Sequence, residues 1–396
     1  MHIYKAEDDM AFDVCPRCGC KDPSYFYKGS KGVYCRRCVG FGRQMMEEES
    51  TAVKLRVPGE QDGEYCFSFP LTPLQKEISR QLREQIHHTD VLLRCVCGAG
   101  KTEMVVETIS DYLKAGKKVC FAIARRQVVL EVAERMQKYF HQTKVTAVCG
   151  GHTDVLDGGL IVCTTHQLYR YVGAFDLLVL DEPDAFPFRG DPVLHGIARS
   201  ACRGHTVYLT ATPDEELSRR VKEGSLLCLR LDQRPHGAPL PVPQVKLCMK
   251  GTALLFLVRW LKAHDTHPRI IFMPSIASAR RMCRFLRLFG RCSVCTSKSK
   301  DRDALVEHYK KRKNGILVAT TVMERGVTIK DCDVCVFHAD SGVFDEAGLV
   351  QMAGRAGRNF DHPTGDVLFL CQKRSEAVEN CVRQIERSND AVSVMS

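Results

Sequence analysis

The sequence has no long apolar run and no recognisable export signal. The longest apolar segment, TALLFLVRWL, is interrupted by Arg259 and falls short of the about 18 apolar residues that a membrane-spanning helix needs. Residues 1–10 contain neither the basic nor the apolar region of a signal peptide. These absences predict a cytoplasmic protein without a membrane span of its own, so that any contact with a membrane goes through a partner.

The 21 cysteines do not indicate a disulfide scaffold. Their number is odd, and a long chain without an export signal favours reduced thiols. Many lie in apolar runs such as VCFAI and LIVCTT, where we expect small buried side chains. The pairs Cys292/Cys295 and Cys332/Cys335 are interpreted as structural too, because the second pair lies in a predicted strand, DCDVCVFH, and points to opposite faces.

Four other cysteines have the spacing of a metal site. Cys15, Cys18, Cys35 and Cys38 form C-x2-C-x16-C-x2-C, and each C-x2-C turn can place two thiolates on one tetrahedral ion. We expect one structural Zn²⁺ in a module of residues 1–50, with Cys20 as a substitute ligand to consider. Loss of one ligand is expected to unfold roughly the first 45 residues and to leave the rest folded.

The same module is basic and aromatic. Between Cys15 and Arg43 there are seven lysines and arginines but one acid, interleaved with Tyr25, Phe26, Tyr27 and Tyr34. Cations hold phosphates and aromatic rings stack on bases, so this mixture suits single-stranded nucleic acid. The aromatic residues could equally form the small core of the module, and both interpretations stay open. The net charge of +10 agrees with a polyanionic partner.

The stretch CVCGAGKTE has the marks of a phosphate-binding loop, although Cys95 replaces the usual first glycine. A predicted strand, VLLRC, precedes it and a predicted helix follows it. A strand, a glycine turn and a helix N-terminus point backbone N–H groups at a phosphate. Lys101 is expected to reach the outer phosphates and Thr102 to bind Mg²⁺. The nucleotide-binding residues predicted here are Gly98, Ala99, Gly100, Lys101 and Thr102.

A second apolar strand, FDLLVLDEPDAF, ends in an acidic box. An acid at the carboxyl end of a buried parallel strand lies beside the phosphate loop in an open α/β sheet. Asp181 is therefore predicted to hold Mg²⁺ and Glu182 to polarise the attacking water. A third strand, VYLTATP, ends in Thr210-Ala211-Thr212.

The segments DEPD, TAT, ILVATTVMERGVTI and QMAGRAGR, in this order, resemble motifs II, III, V and VI of superfamily 2 helicases over about residues 65–385. The resemblance implies that Gln351, Arg355 and Arg358 face the γ-phosphate from a second domain, where arginine stabilises transition-state charge. It also implies that Gln75 in LTPLQKE contacts adenine. Thr72 and Gln75 form a capping-box pattern as well, and both roles stay open.

A four-cysteine module ahead of the motor, together with DEPDAFPF, CTTHQLYR and TTVMERGVT, is similar to the ComFA family of late-competence DNA-uptake ATPases. That resemblance implies a motor that drives transforming single-stranded DNA through a membrane channel. The implied partners are single-stranded DNA, a membrane DNA-channel protein and other competence proteins, with a place at the inner face of the membrane through such a partner. Cys95 and Pro183 depart from the usual motifs, but neither change removes a reactive group.

The predicted fold class is α/β, with two tandem RecA-like doubly wound parallel-sheet domains after the zinc module. The predicted boundaries are 1–50 for the module, 51–232 for the first domain, 233–246 for a proline-rich linker and 247–396 for the second domain. The cofactors expected are ATP, Mg²⁺ and Zn²⁺. Candidate contacts to a nucleic-acid backbone are Arg125, Arg126, Thr164, Thr165, Thr320, Thr321 and Arg325.

Two other functions fit the same motifs. An RNA helicase or a replication-restart DNA helicase would carry the same motor. A zinc-dependent nucleic-acid-binding adaptor could use its nucleotide site only as a conformational switch. The presence of Glu182, Gln351, Arg355 and Arg358 disfavours the adaptor, because a pure switch needs neither a water activator nor arginines at the γ-phosphate.

Overall fold

The computed structural model describes residues 13–47, 53–249, 251–299, 304–305, 308–309, 314–321, 332–358, 360 and 363–393. The chain forms two compact units. The first comprises Met1–Arg94 and Lys101–Arg230, and the second comprises Cys95–Gly100 and Leu231–Ser396.

The first unit begins with the cysteine module and continues into a parallel sheet. In the module, β1 (Phe26–Gly29) and β2 (Gly32–Cys35) pair antiparallel. The strands of the larger sheet are β3 (Val91–Cys95), β4 (Val119–Ile123), β5 (Val145–Val148), β6 (Leu160–Thr164), β7 (Phe175–Asp181), β8 (Cys202–Thr210) and β9 (Leu227–Leu231). They are ordered β5-β6-β4-β7-β8-β3-β9.

Amphipathic helices flank this sheet. They are α1 (Pro73–Gln85), α2 (Lys101–Met104), α3 (Val106–Lys114), α4 (Arg126–Tyr139), α5 (Pro192–Ala201) and α6 (Glu215–Lys222). The central strands are apolar and buried along nearly their whole length, as in β4 and β6. Parallel strands covered by helices on both faces have this near-continuous apolar pattern.

The second unit contains a second parallel sheet. Its described strands are β10 (Gln244–Leu247), β11 (Pro268–Phe272), β12 (Cys292–Cys295), β13 (Gly315–Ala319), β14 (Asp333–Phe337) and β15 (Val367–Cys371), in the order β10-β15-β14-β11-β13-β12. Its described helices are α7 (Thr252–Ala263), α8 (Ile276–Leu286), α9 (Glu346–Ala353) and α10 (Glu376–Ser393). Two parallel sheets with flanking helices confirm the predicted fold class of two RecA-like domains.

The cysteine module packs into the first unit. Its four zinc-spaced cysteines and Phe26 belong to one apolar cluster with Ile197 and Ala198 of α5. Gly196 makes this contact close, because a Cβ built on it would lie 1.9 Å from the carbonyl oxygen of Cys18. Phe41 adds a ring contact to Tyr169, 5.3 Å between centroids. The module and the first sheet therefore share a core.

Candidate zinc module and nucleotide site

The four predicted zinc ligands form one buried cluster. Their sulfur atoms all lie within 4.8 Å of one another, and the Sγ–Sγ distances are 3.8 Å for Cys15–Cys38 and 3.8 Å for Cys18–Cys35. Zn–S bonds of about 2.3 Å in a tetrahedron separate the sulfur atoms by roughly 3.8 Å. The residues present therefore fit a structural Zn²⁺ with four protein ligands.

The local turns explain this geometry and leave Cys20 aside. The N–H of Gly19 donates to the carbonyl of Cys15 at 2.9 Å, and the φ of Gly19 is +65°, a conformation that favours glycine. Strand β2 ends at Cys35, the first ligand of the second pair. The Sγ of Cys20 instead lies 3.7 Å from an Arg37 nitrogen. The cluster is thus the set predicted from the spacing.

The four crowded thiols shift one another's pKa values in opposite directions. Hydrogen bonding from Cys18 lowers the pKa of Cys15 to about 7, and hydrogen bonding from Cys15 lowers the pKa of Cys35. Hydrogen bonding to Cys15 raises the pKa of Cys18 and of Cys38. Such a cluster favours a divalent cation, which replaces the remaining protons when it binds.

The aromatic residues of the module divide between the two predicted roles. Phe26 is buried in the shared cluster, whereas the neighbouring Tyr27 points to the other face of β1. Tyr27 and Tyr34 form a cross-strand ring pair with centroids 5.5 Å apart. Three arginine–tyrosine pairs lie in the module, with guanidinium-to-ring distances of 5.9, 5.5 and 5.1 Å for Arg36–Tyr27, Arg37–Tyr25 and Arg43–Tyr34. We call these three pairs the arginine–tyrosine surface.

The phosphate loop connects β3 to α2 as predicted. Gly98 and Gly100 have φ values of +85° and +81°, so both need the left-handed freedom of glycine. Lys101 is the first residue of α2, and Thr102 follows it at the helix N-terminus. This local conformation places a glycine turn before a helix start, which is the arrangement that binds phosphate.

Asp181 ends β7 at the carboxyl edge of the first sheet. Its Oδ1 is buried and has no hydrogen-bond partner among the described residues. Burial, and after it the neighbouring Glu182, raise the pKa of Asp181 against the opposing effect of Lys101, to about 7. Mg²⁺ prefers oxygen ligands, and this buried oxygen of Asp181 has no hydrogen-bond partner among the described residues. Asp181, which also interacts electrostatically with Lys101, therefore fits an Mg²⁺ site together with Thr102. Glu182 itself has a φ of +52°, an unusual conformation for a residue other than glycine.

Asp184, three residues after Asp181, links the acidic box to the end of β8. It accepts hydrogen bonds from the hydroxyls of Thr210 at 2.6 Å and Thr212 at 2.7 Å. The N–H of Thr212 donates in turn to the Thr210 hydroxyl at 2.9 Å. The sequence analysis identified both segments but assigned Asp184 no role; the paired D-x-x-D and T-x-T spacing was the signal for this network.

The predicted γ-phosphate residues lie at the end of α9 in the second unit. Gln351 and Arg355 are 3% and 2% exposed, and the Nε of Arg358 donates to the carbonyl of Gly354 at 2.7 Å. Gln351 Oε1 accepts a hydrogen bond from the Cys97 thiol at 3.2 Å, within the same unit. A Cβ on Gly354 would lie 2.5 Å from the Cys97 Cβ, so only glycine permits this approach.

The capping role predicted for Gln75 is confirmed. Thr72 Oγ1 accepts from the N–H of Gln75 at 3.3 Å, and Gln75 Oε1 accepts from the N–H of Thr72 at 2.9 Å. Gln75 is 4% exposed. Its contact to adenine stays a prediction.

Most candidate nucleic-acid contacts lie at carboxyl edges of the two sheets. In the first unit, Thr164 ends β6 and pairs in register with Ile123, two residues before Arg125. Arg126 is exposed at the start of α4, and the Thr165 hydroxyl is buried without a hydrogen-bond partner among the described residues. The contacts of both residues to nucleic acid stay predictions. In the second unit, Thr320 and Thr321 directly follow β13. Arg325 lies outside the described residues.

The other paired cysteines show no metal-site geometry. Cys292 and Cys295 lie on β12, and Cys335 lies on β14 as predicted. Within the described ranges, Cys15, Cys18, Cys35 and Cys38 form the one group of three or more potential metal ligands. In the same part of the chain, no helix has both the length and the apolar character needed to cross a membrane.

Comparison with known families supports two helicase-type domains. Residues 68–215 match the family described as "Type III restriction enzyme, res subunit", and residues 252–360 match "Helicase conserved C-terminal domain". Together with the RecA-like sheets, these matches define an ATP-hydrolysing enzyme of the helicase type.

Two relatives identify the family within this class. The chain is 32% identical to "Competence protein ComFA" of Bacillus subtilis (strain 168), over 95% of this chain and 85% of the relative. It is 30% identical to the ComFA protein of Streptococcus pneumoniae (strain ATCC BAA-255 / R6), over 95% and 90% of the two chains. The protein belongs to the ComFA family of competence proteins, as the resemblance predicted.

Solved structures agree on the fold. Mss116p bound to ssRNA and AMP-PNP has a TM-score of 0.62 and 20% identity, covering 81% of this chain and 73% of its own. RecG bound to a three-way DNA junction has a TM-score of 0.58 and 20% identity, covering 83% and 47%. At this identity the likeness shows a shared helicase fold.

Proposed function

We propose that this protein is an ATP-driven translocase on single-stranded DNA that draws transforming DNA into the cell during natural competence. The observation that carries the proposal is the arginine–tyrosine surface, which is built on a module that shares its core with the first motor unit. Cations and aromatic rings paired within one module suit a flexible strand with exposed bases. Membership in a family named for competence supplies the biological setting.

Hydrolysis in this proposal uses groups at both sheets. Gly98 and Gly100 offer backbone N–H groups to the phosphates, whereas the N–H of Ala99 donates to the carbonyl of Val96 at 3.1 Å. Lys101 neutralises the outer phosphate oxygens. Mg²⁺, held by Thr102 and Asp181, supplies further charge neutralisation when bound. Glu182 orients and polarises the attacking water. The residues proposed to stabilise the γ-phosphate in the transition state are Gln351, Arg355 and Arg358.

The step from hydrolysis to movement begins next to the acidic box. Asp184 connects the loop that carries Glu182 to the end of β8 through the hydroxyls of Thr210 and Thr212. Asp181, Ile123 and Thr164 lie level across β7, β4 and β6, so a change at the acidic box is close to the proposed contacts to the strand. Loss of the γ-phosphate is proposed to alter the grip of Arg125, Arg126 and Thr164.

Translocation on single-stranded DNA by the purified protein tests this function. A labelled oligonucleotide carrying a streptavidin block at one end should lose the block only with ATP present. The Lys101→Ala variant is the matched control and should neither hydrolyse ATP nor displace the block. ATP hydrolysis should rise with single-stranded DNA more than with RNA of the same length.

Three outcomes would contradict the proposal. Strong preference for RNA would favour an RNA helicase. ATP binding without turnover, even with DNA present, would favour a nucleotide-switched adaptor. DNA-stimulated hydrolysis with unwinding of duplex forks but no movement on single strands would favour a replication-restart helicase. Binding to a membrane DNA-channel protein is a further part of the proposal and is tested by co-purification with that channel.

A further inference from the structure

Arg234 lies in the proline-rich segment after β9, outside every motif that the sequence analysis identified. It is 2% exposed, and its guanidinium donates hydrogen bonds to four backbone carbonyls of the second unit. Nη2 donates to Gly354 at 3.0 Å, and Nη1 donates to Ala356 at 2.7 Å and also to Gly357. Nε donates to Cys97 of the phosphate loop at 2.9 Å.

These carbonyls belong to two functional segments. Gly354, Ala356 and Gly357 form the turn after α9 that also carries Arg355 and Arg358. Unpaired carbonyls at a helix C-terminus carry partial negative charge and attract a cation. One side chain therefore ties the arginine-bearing turn to the phosphate loop.

The environment of Arg234 is unusual for a buried charge. No carboxylate lies within ion-pair distance of it in the described part of the chain, so carbonyl dipoles alone compensate its charge. Burial, and after it the nearby Arg358, together lower the pKa of Arg234 to about 10. Arg234 and Arg358 also share the carbonyl of Gly354. Placing two cations together costs free energy that apolar packing would avoid.

His236 supports the same turn through a second side chain. Its Nδ1 accepts a hydrogen bond from the N–H of Ala238 at 3.1 Å, which leaves Nε2 protonated to donate to the Gly357 carbonyl at 3.0 Å. Burial lowers the pKa of His236 and favours this neutral form. Two residues of one segment thus bind the turn through independent donors.

We propose that Arg234, assisted by His236, is a positioning residue for ATP hydrolysis that holds the Arg355–Arg358 turn in register with the phosphate loop. The inference rests on the proposed roles of Arg355 and Arg358. A planar guanidinium reaches several carbonyls at once, whereas a lysine ammonium is a single point. Misplacement of catalytic groups by about 1 Å can cost roughly a hundredfold in rate.

The experiment compares Arg234→Ala, Arg234→Lys and wild type in steady-state ATP hydrolysis without DNA, at a temperature where thermal unfolding shows each protein folded. We expect Arg234→Ala to lower kcat by roughly 10- to 100-fold with a change in KM of no more than about threefold. Arg234→Lys should recover part of the loss. Millimolar guanidinium should restore kcat of Arg234→Ala by refilling the space between the carbonyls, and ethylammonium should restore less.

Arg269→Ala is the matched control. Arg269 is also buried, at 8% exposure, and donates to a backbone carbonyl, that of Leu261, but it lies at the opposite, amino-terminal end of β11. The Arg269→Ala variant should unfold at a lower temperature, but the kcat of the folded variant should equal that of wild type. His236→Ala should lower kcat by about two- to fivefold, as expected for one neutral hydrogen bond.

Two results would overturn the inference. One is a folded Arg234→Ala variant with unchanged kcat and KM. The other is a raised KM with unchanged kcat, which would show that Arg234 supports nucleotide binding at the phosphate loop but does not position the arginine-bearing turn. Arg358→Ala is assayed in parallel to keep the two proposals apart. If Arg358→Ala hydrolyses ATP normally, the proposed role of that arginine fails; if only the Arg234 variants do so, the positioning inference fails.

Discussion

The cysteine module and the parallel sheet of the first unit are stabilised in different ways, although they share an apolar cluster. The sheet is built on buried apolar strands, and Asp181 ends β7 at its carboxyl edge. The module has two short strands, with Phe26 and Val33 as their buried apolar side chains, and four sulfur atoms at its centre. Metal binding supplies folding free energy to a module of this size.

This difference separates two kinds of damage. A substitution at the carboxyl edge of the sheet should slow ATP hydrolysis without unfolding the first unit. Apolar burial along the strands does not depend on the polar side chains at that edge. Substitution of one of the four cysteines should unfold the module and leave the groups proposed for ATP hydrolysis in place. The shared cluster around Ile197 and Ala198 is the place where this separation can fail.

The largest effect is expected for Asp181→Asn. The change removes the carboxylate proposed to hold Mg²⁺ but keeps the shape of the side chain, so kcat should fall by about a thousandfold or more. Stability of the nucleotide-free protein should be equal or higher, since the buried Oδ1 lacks a hydrogen-bond partner among the described residues. Steady-state hydrolysis and thermal unfolding measure both. The exposed Asp154→Asn is the control; a large loss of stability in Asp181→Asn would contradict the comparison.

The second effect is expected for Cys35→Ser. The loss of one thiolate should abolish stoichiometric zinc and weaken single-stranded DNA binding by tenfold or more, while hydrolysis without DNA persists. Because the module shares its cluster with α5, we also expect the first unit to unfold at a lower temperature. Cys20→Ser is the control and should keep its zinc. Unchanged zinc content in Cys35→Ser would show that the zinc ligands are assigned wrongly. Full loss of zinc with normal DNA affinity would show that the site is structural and has no role in DNA binding.

The features that could be predicted from the sequence are those whose cause is local. Apolar runs that end in Gly98–Thr102 or in Asp181 predict strands with functional tips, because chain direction fixes which end of a parallel strand carries the loop. The C-x2-C spacing similarly predicts the cluster of four cysteines, because a tight turn brings two sulfur atoms together. In both cases residues a few positions apart determine the geometry.

The features that the sequence did not reveal depend on contacts between distant segments. Arg234 lies in a proline-rich stretch with no periodicity, and its four carbonyl partners are more than 100 positions away. Gly196 looks like an ordinary helix residue until Cys18, 178 positions earlier, is found against it. Every residue type has a backbone carbonyl, so the partners of Arg234 carry no sequence pattern. The close approach at Gly196 depends on a missing Cβ, which the sequence does not distinguish from any other glycine.

The third effect is expected for Asp184→Asn, which tests a buried acid that accepts hydrogen bonds from two hydroxyls. The amide offers one acceptor oxygen in place of two, so one of the hydroxyls of Thr210 and Thr212 loses its bond. We expect a loss of about 1–3 kcal/mol of stability together with roughly tenfold slower DNA-stimulated hydrolysis. Chemical denaturation and ATPase assays with and without DNA measure the two. A loss of stability alone would make Asp184 a purely structural residue.

The smallest effect is expected for Gly196→Ala, which acts only on the contact between the module and the first sheet. The added methyl group would lie 1.9 Å from the carbonyl oxygen of Cys18, so the module must shift by enough to relieve the clash. Such overpacking costs about 1–3 kcal/mol. Zinc should stay bound, because all four thiolates are present, and DNA affinity should fall only a few fold. Gly40→Ala, in the module with open space around its Cβ position, is the control. If Gly196→Ala binds DNA as tightly as Gly40→Ala and is equally stable, the module and the motor are independent.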